Sequence, residues 1–80
     1  MDKNTILSEI QVIFRDVMDN DTLVITEKSS AREIEEWDSL SHLRLVFAIE
    51  KHFKIKFSTS ELSKWKNVGD LLENVSAKLS

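Results

Sequence analysis

Two imidazoles, His42 and His52, many hydroxyls and fourteen carboxylates are the side chains here that could move protons, attack a substrate or hold a metal; there is no cysteine. The missing thiol excludes a disulfide framework and a thiolate metal site. On one helix the two histidines, ten residues apart, are separated by about 280° around the axis and cannot share a metal. They read as partly exposed helix residues. Asp16, Asp19, Asp21 and Glu27 invite comparison with a calcium loop, with Glu27 twelfth from Asp16. The third position is then Met18, and the sixth is Asp21 where glycine makes the turn, so a solvated acidic loop is the better reading. No serine sits in a Gly-x-Ser-x-Gly elbow. Ser39, between Asp38 and Leu40, lies where a loop is expected to enter a helix. Backbone N–H groups there lack intrahelical acceptors and the helix dipole is positive, so a phosphate is tolerated. A serine at such a place is more commonly a cap. Position alone leaves both roles open.

The elements that must position Ser39 follow from composition and periodicity. Eighty residues allow one domain, residues 1–80, with a modest core. There is no proline and one glycine, Gly69, so the punctuated turns of an all-β protein are missing. So small a core leaves little room for a pocket of convergent polar groups, and intrinsic catalysis is not expected. A net charge of −3 with pI near 5.3 argues against a general nucleic-acid binder, which needs a basic stripe. No apolar run approaches a membrane span. Met1-Asp2-Lys3-Asn4 lacks the basic-then-apolar order of a signal peptide. The expectation is a cytoplasmic, monomeric, all-α domain with no resident metal and no membrane insertion.

Four helices are predicted. Ile6, Leu7, Ile10, Ile13, Phe14, Val17 and Met18 form one apolar stripe on a helix of about 15 residues. The cluster Asp19-Asn20-Asp21-Thr22 ends it, because short polar side chains compete with the helical backbone. From Asp19 to Trp37 the periodicity fails, and a connection this long usually has a function. Leu23, Val24, Ile25, Ile34 and Trp37 are expected to pin it to the helices as an ordered loop. A second helix runs from Ser39 to His52 or Phe53. A short one runs from Ser60 to Lys64 after the capping cluster Ser58-Thr59-Ser60. The last carries Val68, Leu71, Leu72, Val75 and Leu79, with Asn67 as cap and Asp70 completing a capping box. The fold class is a four-helix bundle of three longer helices and one short helix, with a long loop between the first two.

The second helix has two faces. Leu45, Val46, Ile49 and Phe53 form an apolar sector suited to the core. Leu40, Arg44, Phe47 and Lys51 form a separate line pointing away from it. A helix that is apolar over two stripes is deeply buried or touches something else. Either this line meets a partner or Leu40 and Phe47 pack beneath the long loop.

The segment 36–57, EWDSLSHLRLVFAIEKHFKIKF, resembles the acyl carrier protein family. The shared features are Asp38-Ser39-Leu40, an apolar helix ending in Glu50-x-x-Phe53, the segment Ile55-x-Phe57, and Asn67-Val68-Gly69-Asp70-Leu71-Leu72 downstream. The resemblance implies a carrier that enzymes modify and use, not an enzyme. A phosphopantetheinyl transferase, with coenzyme A and Mg²⁺, would join 4′-phosphopantetheine to Ser39 through a phosphodiester. The arm's thiol would carry acyl groups as thioesters, supplying the thiol that the sequence lacks. Asp38 and Leu40 would serve transferase recognition. Leu40, Arg44, Phe47, Glu50 and Lys51 fall where the family's second helix meets acyl-loading and acyl-transfer enzymes.

The departures narrow the partners. Fatty-acid-synthesis carriers have a strongly acidic second helix, whereas Arg44, Lys51, His52, Lys54 and Lys56 make this region mixed or basic. Trp37 replaces a small residue, and Lys54 and Ser58 replace a common glycine and proline. The Trp-Asp-Ser-Leu form resembles stand-alone carriers of polyketide, peptide or surface-glycan acylation systems. An aminoacyl or peptidyl carrier shares these features. A helical interaction domain in which Ser39 is only a cap is the alternative without a prosthetic group.

Overall fold

Asp2 opens the first helix by accepting the Thr5 N–H at 2.8 Å, satisfying one donor of the first turn. The computed structural model, which describes residues 2–79, then runs α1 (Lys3–Val17), α2 (Ser39–Phe53), α3 (Thr59–Ser63) and α4 (Val68–Leu79), with no strand among those residues. Met1 and Ser80 lie outside the described residues. α1 packs along both α2 and α4. Its stripe supplies Ile6, Ile10 and Phe14, each with no exposed surface, against Leu45 and Ile49 of α2 and Val68, Leu71, Leu72 and Val75 of α4. Burying each such side chain contributes about 1.5–3 kcal/mol. The core sector expected of α2 is graded in depth: Leu45 and Ile49 are fully enclosed, Val46 is buried, and Phe53 is only partly covered.

α1 ends with a change of hand at Asp19, which sits at φ 54°, and the Asn20 N–H donates to the Arg15 carbonyl at 3.0 Å. Asparagine chemistry then shapes the turn. The Asn20 side-chain oxygen accepts from the Thr22 N–H (3.2 Å) and hydroxyl (3.0 Å), while its amide donates to Glu36 at 3.0 Å. α2 ends the same way, with Lys54 at φ 58° and its N–H on the Glu50 carbonyl. The left-handed conformation favours glycine, so the lysine noted at this position departs from the backbone's preference as well as from the family pattern.

The connection from 19 to 37 is ordered. Ile25, Ile34 and Trp37 are buried, and Leu23 is half-buried. α1 holds this stretch through its polar flank: Gln11 accepts the Ile25 N–H at 3.0 Å and Arg15 Nε donates to the Leu23 carbonyl at 2.7 Å. Val24 is a correction. It was expected to pin the loop, yet it is 69% exposed. Its neighbours Leu23 and Ile25 both turn inward, and alternation along the chain leaves the middle residue outside.

One further boundary and one capping box differ from expectation. α3 spans Thr59–Ser63, one residue earlier at each end, because Ser58 is the cap. Ser58 Oγ accepts the Glu61 N–H at 3.2 Å, and Glu61 Oε1 accepts the Ser58 N–H at 2.9 Å. At α4, Asn67 does accept the Asp70 N–H at 3.0 Å, but Asp70 reaches the Lys66 N–H at 2.8 Å rather than closing a box on Asn67.

α4 is also docked to the loop by main chain. Val68 and Gly69 N–H groups donate to the Ser29 and Glu27 carbonyls at 2.8 and 2.7 Å. A Cβ on Gly69 would lie 2.9 Å from the Glu27 carbonyl oxygen, a backbone atom that cannot step aside cheaply. Gly69→Ala ordinarily gains about 1 kcal/mol in a helix, but overpacking here costs about 1–3 kcal/mol. A lowered thermal midpoint is the expected result, and a raised one would show that the loop yields freely.

Candidate functional site

Ser39 is not the cap of α2. Asp38 holds that position, accepting the Ser41 N–H at 2.9 Å, and Ser41 Oγ in turn accepts the Asp38 N–H at 2.8 Å. The Ser41 N–H, then the Ser41 hydroxyl, hold the Asp38 carboxyl below its ordinary pKa. Ser41 Oγ also donates to the Glu36 carbonyl at 2.7 Å. The reciprocal box leaves Ser39 as the first helical residue, exposed, with its hydroxyl in no hydrogen bond among the described residues. Sequence position left cap and phosphate site open. The structure assigns the cap to Asp38 and leaves the Ser39 hydroxyl exposed, with no hydrogen bond among the described residues.

An open cleft of about 580 Å³ has Ser39 and Asp38 in its wall, together with Ala31, Trp37, His42, Leu43, Trp65 and Lys66. Its aromatic wall is built from the loop before α2, α2 itself and the segment after α3. Trp37 buries itself from the loop and meets Phe14 edge-on at 5.1 Å between ring centres. Its indole Nε1–H donates to His42 Nδ1 at 3.0 Å, and the two rings lie within 22° of parallel with their centres 6.0 Å apart. Trp65, following α3, presents an edge-to-face contact to His42 at 5.9 Å and another to Phe57 at 4.9 Å. Trp65 is held in turn by donating to Asn74 at 3.0 Å, whose amide donates to Glu61 at 2.8 Å. Hydrogen bonds from Asn74 foremost, then from Ser58 and Lys78, lower the Glu61 pKa to about 2. That carboxylate ties the short α3, which has no buried residue of its own, to α4.

His42 was read as an ordinary, partly exposed helix residue. It is half-buried, and burial pushes its pKa down. Because an indole can only donate, His42 Nδ1 must accept, which fixes the neutral Nε2–H tautomer. His52 is elsewhere, at 2.8 Å from Glu9. The sequence showed both histidines but not that one of them joins two distant tryptophans.

The second line of α2 is exposed. Leu40 is 62% and Phe47 68% exposed, so neither packs beneath the loop. Leu43, at 54%, joins them and was not singled out. Its spacing of three from Leu40 and four to Phe47 was the available signal. Arg44 and Lys51 are exposed beside this patch. Glu50 differs: it is half-buried, and its carboxylate accepts the Phe57 N–H at 2.9 Å.

An arm attached through phosphate needs an accessible hydroxyl with a surface beside it, and Ser39 is exposed in the wall of the cleft.

Comparison with known proteins shows the family. Residues 8–75 match the family model described as phosphopantetheine attachment site. The acyl carrier protein of Thermosynechococcus vestitus is 28% identical over 80 residues, covering all of this chain and 99% of that protein. The solution structure of holo acyl carrier protein from Geobacter metallireducens superposes with a TM-score of 0.87 at 51% identity, covering 91% of this chain and 84% of that one. The crystal structure of acyl carrier protein from Thermotoga maritima gives a TM-score of 0.84 at 26% identity, with coverage of 99% and 92%. With the four-helix bundle, the exposed serine at the head of α2 and the match over 8–75, this chain belongs to the phosphopantetheine-attachment family and is an acyl carrier protein.

Proposed function

We propose that Ser39 is the residue that takes the arm, and that the exposed α2 patch presents the loaded carrier to its partner enzymes. The observation that carries the first part is the free hydroxyl of Ser39 beside the fully bonded Ser41. In the transfer, Ser39 Oγ bonds to the pantetheine-side phosphorus of coenzyme A. The pyrophosphate P–O bond breaks, the nucleotide half leaves, and the serine proton passes to a base on the transferase. The arm supplies a thiol, which holds acyl groups as thioesters. Asp38, ionised at neutral pH and adjacent to Ser39, suits contact with the transferase or its Mg²⁺. Leu40, exposed one residue on, suits an apolar recess in a partner. Incubation with coenzyme A, Mg²⁺ and a broad-specificity transferase is expected to add the mass of one phosphopantetheine, located by peptide mapping at Ser39. Modification of any other serine would overturn the assignment.

The partners proposed are those of a specialised pathway, such as polyketide, peptide or surface-glycan acylation. Arg44 and Lys51 flank Leu40, Leu43 and Phe47 on an exposed face, so an enzyme with an acidic rim fits better than one with a basic patch. Glu50 contributes less to this face than its position implies, since its carboxylate is engaged with Phe57. Phe47→Ala is expected to leave stability within about 0.5 kcal/mol of wild type while slowing acyl loading by the true partner. Reversing Arg44 and Lys51 to glutamate is expected to slow loading by that partner and to speed it with basic-patch fatty-acid enzymes. Salt should shrink both charge effects, because exposed charges are screened beyond about 10 Å at 0.1 M. Equal rates for all forms at every salt concentration would reject the charge preference without touching the carrier function.

A further inference from the structure

Lys54 and Lys56, just beyond α2, carry charge that the fold does not use. Neither side chain makes an ion pair among the described residues, and the same holds for Arg44 and Lys51. Lys3 and Lys78, by contrast, are paired with Glu73 and Glu61. Lys54 also sits at φ 58°, a conformation that is costly for a residue with a Cβ and free for glycine. Lysine is therefore present against the preference of its own backbone, and strain of this kind collects where a side chain has a task. The segment that bears the two lysines is held firmly. The Glu50 carbonyl accepts the Lys54 and Ile55 N–H groups, and the Glu50 carboxylate accepts the Phe57 N–H at 2.9 Å. Alternation then turns Ile55 and Phe57 toward the core and leaves Lys54 and Lys56 exposed. Glu50 is the only acidic residue from 44 to 57, and Glu9 of α1 faces His52 rather than either lysine. Lys54 follows Phe47 by seven residues and Lys51 by three, which places it on the same side of the helix. The outer line of α2 thus continues past the helix end, about 20 Å from Leu40 at 1.5 Å per residue.

We propose that Lys54 and Lys56 are specificity-determining residues that extend the α2 patch into a cationic ridge, which fits an enzyme with a rim of carboxylates and rejects one with a lysine- and arginine-rich docking patch. This rests on the α2 patch being the face that meets partner enzymes. Opposed charges across a docking contact speed encounter, and like charges penalise the wrong partner. The cations are unpaired within the fold, so they meet a partner without first breaking an internal ion pair. Glycine at 54 would suit the backbone, whereas lysine suits the partner. Position 54 gives up stability for selection.

The test uses holo protein, its arm confirmed by intact mass, and a basic-patch malonyl transferase of fatty-acid synthesis with malonyl coenzyme A as the probe. Loading kcat/KM and thermal midpoint are read for each form. The double change Lys54→Glu with Lys56→Glu should raise kcat/KM about tenfold at low salt, and high salt should shrink the gain. Lys54→Gly should raise the midpoint by about 4–8 °C and load faster than wild type. Lys54→Arg keeps both charge and strain and should match wild type in both readings. Lys56→Glu should load faster than Lys28→Glu, the same reversal at an exposed lysine whose loop is bonded to α4. Equal gains from those two would overturn the ridge and leave net charge as the cause. Wild-type rates for the double variant, with faster loading on reversal of Arg44 and Lys51, would overturn the ridge and keep the α2 patch. No response to either reversal would overturn the charge preference of the patch and the ridge with it. An unchanged midpoint for Lys54→Gly would overturn the exchange of stability for selection. Sedimentation with phosphatidylglycerol vesicles that the double variant loses, at unchanged loading, would overturn an enzyme as the occupant.

Discussion

Replacing Ser39 by alanine is expected to abolish uptake of the arm while leaving the fold almost untouched. Were Ser39 the cap of α2, the change would cost about 1 kcal/mol. The structure gives that role to Asp38, so the hydroxyl removed makes no hydrogen bond among the described residues. Alanine is also the better helix former by a few tenths of a kcal/mol. Stability should therefore stay within about 0.5 kcal/mol of wild type, which is about 4 °C or less in midpoint for a domain of this size. Ser41 supplies the internal control. Its hydroxyl accepts from Asp38 and donates to Glu36, so Ser41→Ala should accept the arm normally and lose roughly 1 kcal/mol. Intact mass and thermal unfolding of the two variants give opposite patterns. A Ser39→Ala chain that still gains the arm would remove Ser39 from the site.

Phe14→Ala is expected to be the most damaging single truncation in the chain, costing about 3–5 kcal/mol. The ring is wholly enclosed among α1, α2 and α4 residues and meets Trp37 edge-on at 5.1 Å. Its loss leaves a cavity and also removes the support beneath the aromatic wall of the cleft. Small domains are stable by about 5–15 kcal/mol, and 80 residues bury too little to sit at the top of that range. A midpoint lowered by at least about 12 °C is expected, at roughly 4 °C per kcal/mol, with a change in Trp37 fluorescence. Phe47→Ala deletes the same atoms from a residue that is 68% exposed and should barely move the midpoint. Similar midpoints for the two variants would contradict the packing.

The sequence by itself determined the helices and the candidate for the reactive position. Apolar periodicity in 6–18 and 45–53 is a local property that any packed arrangement of those segments must satisfy. The absence of proline and the single Gly69 left those periods unbroken. The Asp38-Ser39-Leu40 triplet was legible only together with the helix and segments that follow it, through their resemblance to the acyl carrier protein family, since position alone left cap and phosphate site open. Leu40 and Phe47 were visible as a second stripe, but only the folded chain decided that they face outward, since burial depends on what else packs there.

Tertiary structure alone decided three further matters. Which side chain caps α2 depends on whether Ser41 Oγ can reach back to Asp38 while bonding the Glu36 carbonyl, a geometry of 2.8 and 2.7 Å contacts that spacing does not fix. The role of Gly69 depends on a loop carbonyl forty-two residues earlier in the chain, at Glu27, arriving within hydrogen-bond distance of its N–H. The state of His42 depends on Trp37 and Trp65, twenty-eight residues apart in sequence, meeting on either side of one imidazole. Sequence patterns report the periodicity of each segment. The direction of a hydrogen bond, the tautomer of a ring and the exposure of a hydroxyl are set by neighbours brought together only when the segments pack.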